Sequence, residues 1–208
     1  MPTNLTHILQ ENQQRNDKLK SEYNPLLGIG CIGQRIKLLI PDFALPDMLV
    51  NEQVYFNPLI KTVAHHGSIS RFITEHLHTE DTPDMMEEVG RWILRMLIMH
   101  DFEFCAYYLF IIKDKLSPEE IPFKLNRPQR RLLAKLEGMR LANAPIRLIL
   151  LKARQWGGST LIQLYIAWIQ LFHKKNWNSL TVAHIKDTSN EIKGMYSLLL
   201  SKIPAWVM

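Results

Sequence analysis

The residues with the most chemical content in this sequence are Lys152-Ala-Arg-Gln-Trp-Gly-Gly-Ser-Thr160. Two adjacent glycines, Gly157 and Gly158, let a backbone come close to anionic oxygens. The hydroxyl of Ser159 opens the segment that follows, with Thr160 beside it. Between a strand and a helix, such a loop aims free N–H groups and the positive end of the helix at a phosphate, and the Ser159 hydroxyl is placed to hold Mg²⁺. The consensus G-x-x-x-x-G-K-[ST] is met only in part, because its first glycine position is Ala153 and its lysine position is Gly158. The charge that lysine supplies to the β- and γ-phosphates would then come from Lys152 or Arg154. Trp156 either stacks on a nucleotide base or covers the core. The plain alternative is a strand–turn–helix connection whose glycine pair only lets the chain turn.

The flanking segments have the texture that a phosphate loop needs. Ile146-Arg-Leu-Ile-Leu-Leu151 is expected as a short apolar strand, Ser159–Phe172 as a long apolar helix, and Ser179-Leu-Thr-Val-Ala183 as a second strand. Thr188-Ser-Asn-Glu191 has the form of a capping box for a third helix running to about Lys202. Upstream, Pro128–Leu141 is expected as a helix with Leu132, Leu133, Leu136 and Met139 on one face. Strand, helix, strand, helix at these lengths is the pattern of a right-handed βαβ unit in a parallel sheet. The fold class expected is α/β: a partial P-loop NTPase with a parallel βαβ core over residues ~120–208, after a mostly helical N-terminal region. Three parts are anticipated: an N-terminal extension over 1–80, a helical lead-in over 81–115, and the partial P-loop ATPase domain over 116–208. Residues 1–24 are polar and read as a solvated helix or a loose arm. Arg35–Ile40 is strand-like and stopped by Pro41. A helix begins near Thr82, which can cap it, with Pro83 at the first helical position.

Three pieces of this pattern resemble the large terminase subunits of tailed bacteriophages, which are DNA-packaging ATPases. Asp101-Phe-Glu-Phe followed by Ile121-Pro-Phe-Lys-Leu-Asn-Arg-Pro-Gln129 looks like that family's lead-in and adenine-recognition motif. Lys152–Thr160 is similar to its divergent Walker A loop, and Ser179–His184 to its second core strand. The resemblance covers roughly residues 100–208. It implies ATP and Mg²⁺ as cofactors, with Gln129 reading the adenine edge and Arg154, Gln155, Gly157, Gly158 and Ser159 cradling phosphates and the magnesium ion. Lys152 resembles the early lysine that some divergent members place at the start of the loop. Double-stranded DNA is the implied partner, with the portal protein and the small terminase subunit as further ones, in the cytoplasm of a bacterial host cell.

Hydrolysis in this class needs an apolar strand ending in acids, Asp for Mg²⁺ and Glu to polarise water. Beyond Ser159 the only acids are Asp187 and Glu191, and Glu191 is already used in the capping box. The chain is therefore expected to be the N-terminal part of a larger motor, binding nucleotide with little or no turnover. The competing expectation is a non-catalytic nucleic-acid-binding or interaction module, a prophage remnant.

The remaining signals bound these readings. The net charge of +5 over 208 residues is uneven: residues 1–115 hold 11 Lys/Arg against 15 Asp/Glu, and residues 116–208 hold 14 against 5. The basic second half points to a polyanionic partner. Arg127, Arg130, Arg131, Lys135 and Arg140 form a helical set that either contacts DNA phosphates or solvates its face. Gly28-Ile-Gly-Cys-Ile-Gly33 matches G-x-G-x-x-G without the strand and helix of a dinucleotide site, and reads as a glycine turn. His65, His66, His76 and His78 lack a metal-like spacing, and Cys31 and Cys105 are expected as buried thiols. No apolar run reaches the ~20 residues that a bilayer requires.

Overall fold

The computed structural model describes residues 3–20, 22–113, 119–151, 156–182 and 186–207. Helix α1 spans Thr3–Lys20, and its side chains from Thr6 to Gln14 all face solvent. Of the two expectations for this polar segment, the solvated helix is the one formed. Strands β1 (Ile36–Leu39) and β2 (Asp47–Val50) pair antiparallel, with Ile36 opposite Val50 and Leu39 opposite Asp47. Their alternation turns Leu38, Met48 and Val50 inward.

Short helices follow, each started by a residue suited to the task. Asn51 caps α2 (Glu52–Tyr55) by accepting from the Val54 N–H, and Asn57 caps α3 (Pro58–His66) by accepting from the Leu59 N–H. Helix α4 (Ile69–Arg71) runs into a π-helical turn, Phe72–His76. A long helix, α5 (Pro83–His100), begins where Thr82 accepts from the Met85 N–H at 3.3 Å, with Pro83 in the first turn. Its buried residues Val89, Ile93 and Leu97 are four apart, so one stripe enters the core. Asp101 ends α5 and caps α6 (Phe102–Leu109), accepting from the N–H groups of Glu103 and Phe104. Strands β3 (Ile111–Lys113) and β4 (Glu120–Pro122) pair antiparallel. Helices α7 (Arg127–Leu141), α8 (Gly158–Trp168) and α9 (Lys186–Lys202) complete the chain, and α8 continues into a second π-helical turn, Ile169–His173. The core centres on Trp168, which packs edge-on to Phe102 and donates its indole N–H to the Ile98 carbonyl at 2.8 Å.

The two segments expected as parallel strands are extended but unpaired. Residues 146–151 and 179–182 have no strand pairing among the described residues, and Ala183 lies outside them. One side of each segment rests on the protein body. Ile146, Leu148 and Leu150 are about half covered, and Thr181 and Ser179 accept from Gln163 Nε2 (3.1 Å) and Gln170 Nε2 (3.2 Å) of the helix between them. The other side is bare: Ile149 is 97% exposed, Leu151 98%, Leu180 88% and Val182 82%. Both segments have the alternation of a strand and lack the neighbour whose backbone would complete a ladder. Helix α9 begins at Lys186, so Thr188 lies inside it and is not its cap.

The glycine-rich turn at 28–33 has no strand before it and no helix after it. Its glycines all have positive φ, and a Cβ on Gly28 would stand 1.8 Å from the Leu49 carbonyl oxygen. A buried charge network holds this turn against α6 and α7. Arg35 pairs with Asp101 and, at 2.9 Å, with Glu103, whose Oε2 also accepts from the Ile32 N–H at 2.8 Å. Burial pushes the Glu103 carboxyl up to about 7, against the opposing pull of Arg35. Arg130 donates to the Gly30 carbonyl and lies 4.6 Å over the Tyr23 ring. Only 5% exposed, Arg130 leaves the basic set considered for DNA phosphates: its charge points into the protein. Arg140 is likewise engaged, with both Glu137 oxygens at 2.8 Å. Among the described residues, no helix is long and apolar enough to cross a membrane.

Candidate functional site

The loop before α8 is held by the start of α7. Asn126 and Gln129 form a reciprocal capping box: Asn126 Oδ1 accepts from the Gln129 N–H at 3.0 Å, and Gln129 Oε1 accepts from the Asn126 N–H at 2.8 Å. Each amide then has an NH₂ group left to donate. Asn126 Nδ2 donates to the Trp156 carbonyl at 3.0 Å, and Gln129 Nε2 to the Gly157 carbonyl at 3.0 Å. One helix start thus satisfies its own first N–H groups and clamps two consecutive carbonyls of the loop.

The two glycines are required for different reasons. Gly157 sits at φ +76°, in the left-handed region, and a Cβ there would come within 2.6 Å of Gln129 Nε2. Gly158 is the first residue of α8, and a Cβ on it would meet the Trp156 ring at 2.8 to 3.1 Å. The indole therefore occupies the space where a side chain at 158 would start. With Trp156 in this position, a side chain at residue 158 requires the indole to shift.

Beside the loop lies a cavity of about 640 Å³. One wall is apolar and comes from the β3–β4 pair, through Ile112 and Ile121, and from Phe123 just after it. A second wall is α9, whose Glu191, Gly194, Met195 and Leu198 share one helix face at spacings of three and four. Asn126, Gln129, Trp156, Gly157 and Thr160 close the polar end. The volume and the mixture of apolar walls with a few converging polar groups are those of a small-molecule site. The N-terminus of α8, an eleven-residue helix, opens at that end and supplies N–H groups without intrahelical acceptors.

The residues expected from sequence are distributed unevenly around this cavity. Gln129, Gly157 and Thr160 are on its wall, and Gly158 is buried beneath Trp156. Ser159 is exposed and off the wall, so of the two adjacent hydroxyl residues it is Thr160 that lines the cavity. Lys152, Arg154 and Gln155 lie outside the described residues. Gln129 is only 3% exposed, and its carboxamide is engaged at both ends. Asn126, the β3–β4 wall and the α9 face are additions to the expected set. Asn126-Arg-Pro-Gln129 carried a signal for the first, since a capping residue three positions before Gln is a helix-start pattern. The other two come from segments distant in sequence. Among the described residues, no group of three or more His, Cys, Asp and Glu is arranged to hold a metal ion. No protein-family model, curated protein or solved structure matches this chain.

Proposed function

We propose that this chain is the ATP-binding portion of a DNA-packaging ATPase of the phage terminase large-subunit type. The observation that carries the reading is the cavity of about 640 Å³ that opens directly onto Gly157 and the start of α8. A purine ring fits between the β3–β4 wall and α9, and its phosphates then reach the N–H groups of Gly158, Ser159 and Thr160. The Thr160 hydroxyl is placed to serve a phosphate-bound Mg²⁺, with Ser159 as the neighbouring hydroxyl. Lys152, Arg154 and Gln155 are the sequence neighbours that supply further phosphate contacts in this reading. ATP–Mg²⁺, when bound, supplies the phosphoanhydride whose hydrolysis drives such motors. Gln129 acts here through the loop: its Nε2 holds the Gly157 carbonyl, and its second Nε2 proton and Oε1 lone pair remain for an adenine edge. The parallel βαβ core belongs to this proposal, with 146–151 and 179–183 as its strands. So do double-stranded DNA, a portal protein and a small terminase subunit as partners.

A second reading, a non-catalytic nucleic-acid-binding or interaction module, is favoured by one observation. The Gln129 amide already uses both of its ends within the protein, as a purely structural clamp would.

Calorimetric titration with ATP–Mg²⁺ decides between them. Saturable heat that Leu198→Trp abolishes by filling the cavity is the expected outcome. A wild-type protein that gives no heat, while still folded by circular dichroism, sinks the ATPase reading and leaves the interaction module.

A further inference from the structure

From Gly138 to Lys186 the chain contains seven Lys and Arg residues and not one Asp or Glu. Two stretches of this acid-free region border a second cavity, of about 760 Å³ and separate from the nucleotide cavity. Ile162 and Ile166 of α8 and Ile169 of the π-helical turn, with Leu136 of α7 and Ile146, make its apolar walls. Lys174 and Trp177 also line it. Trp177 is the one exposed tryptophan of the five, at 47%, and its neighbours Lys174, Lys175, Asn176 and Asn178 are exposed as well.

This loop is held in place although its side chains face outward. The Lys174 N–H donates to the Ile169 carbonyl at 2.8 Å, closing the π-helical turn. Gln170 Nε2 donates to the Trp177 carbonyl at 2.8 Å, and Gln170 Oε1 accepts from the Tyr196 hydroxyl of α9 at 2.8 Å. The Trp177 carbonyl is thus held by Gln170 of the π-helical turn, itself braced by Tyr196 of α9, while the indole stands at an apolar opening with cations beside it. With the backbone held, the loop that carries this exposed aromatic has less ordering cost remaining on binding.

We propose that this cavity and loop bind single-stranded nucleic acid. An unstacked base enters the cavity against the Trp177 indole and the isoleucine wall. The flanking phosphates meet Lys174, Lys175 and Arg147, the exposed residue next to Ile146. Arg140 is left out of that set because Glu137 already neutralises it. An aromatic platform with neighbouring cations and a pocket for a base face is the recognition mode of single strands. A duplex keeps its bases stacked and presents only phosphates to such a site. This site stands apart from the nucleotide cavity and requires nothing of it.

Fluorescence anisotropy with a labelled oligothymidylate of about twelve nucleotides, ATP omitted throughout, tests the assignment. Saturable binding at about 50 mM salt is expected, with log K falling against log salt at a slope of about −2 for three phosphates. Trp177→Ala should weaken binding roughly tenfold to a hundredfold. Trp177→Phe should recover most of the loss, and Lys174→Ala with Lys175→Ala should flatten the salt slope. The proposal is overturned if the strand does not bind, if the duplex of equal length binds as tightly, or if Trp177→Ala, folded by circular dichroism, binds like the wild type. Because no nucleotide is present, these outcomes are independent of the ATP titration above.

Discussion

Gly157 and Gly158 show how two identical residues meet different demands. Gly157 turns the chain at φ +76° under the Gln129 amide, and Gly158 makes way for the Trp156 ring. Gly157→Ala places an L side chain in the left-handed region and a methyl group 2.6 Å from Gln129 Nε2. The backbone cost alone is roughly 1–2 kcal/mol, so the urea midpoint of unfolding should fall, and Gly157→Ala should cost less in a Gln129→Ala background than in the wild type, because the steric part is then gone. At Gly158 the outcome depends on an aromatic ring rather than on φ. Gly158→Lys, which restores the consensus residue, should displace Trp156 and shift its fluorescence; Gly158→Lys in a Trp156→Ala background should be tolerated better. The adjacent hydroxyls separate in the same way. Thr160 is on the cavity wall and Ser159 is exposed outside it. If the chain binds ATP–Mg²⁺ as proposed, Thr160→Val should therefore weaken that binding more than Ser159→Ala. Equal losses in calorimetry would show that Ser159 turns inward when ligand binds.

At the level of elements, the capping box of α7 joins helix stability to loop shape. Asn126→Ala removes the acceptor for the Gln129 N–H and the donor to the Trp156 carbonyl. Cap loss typically costs about 1 kcal/mol, and the loop bond adds to it. Amide exchange should then quicken both in the first turn of α7 and around Gly157; an effect confined to α7 would show that the clamp on the loop is idle. Such local devices were legible in the sequence. Thr82-Pro83 started a helix, Pro128–Leu141 formed one, and the glycine pair opened α8, because caps and turns act within a few residues. The elements left without pairing among the described residues are those whose identity depends on distant partners. Ile146–Leu151 and Ser179–Val182 carry strand alternation, but a strand exists only beside another, and the described residues give them none. The cavity walls were hidden for the same reason. Ile112 and Ile121 are contributed by one antiparallel pair and Leu198 by a helix some eighty residues later, and no local pattern links them.

At the scale of the whole molecule, buried Glu103 and half-buried His173 respond to pH in opposite directions. Glu103, under the glycine turn, has its carboxyl raised from an ordinary 4.5 to about 7 by burial. The native state holds this proton more tightly than the unfolded chain, so its contribution to stability is full below about 4.5 and is lost as pH rises through about 7. The limiting size of that contribution is about 3 kcal/mol. His173, at the end of α8, is lowered from 6.5 to about 4 by burial, with Arg140 and His100 beside it. The native state rejects that proton, so its contribution is present above about 6.5 and is lost as pH falls through about 4. Over the range that the two windows share, the slopes oppose each other, so the two contributions partly cancel in the wild type. Substitution separates them. Glu103→Gln keeps an acceptor for the Ile32 N–H while removing the titration, so its thermal midpoint relative to wild type should improve as pH rises from about 5 to about 8. His173→Asn should show the reverse trend, gaining on wild type as the solution becomes acidic. Two variants whose midpoints track the wild type in parallel across that range would show that neither group changes its protonation on folding. Opposed trends would locate the pH response of the N-terminal region at the Arg35–Glu103 pair and that of the C-terminal region at the π-helical turn, nearly seventy residues apart in sequence.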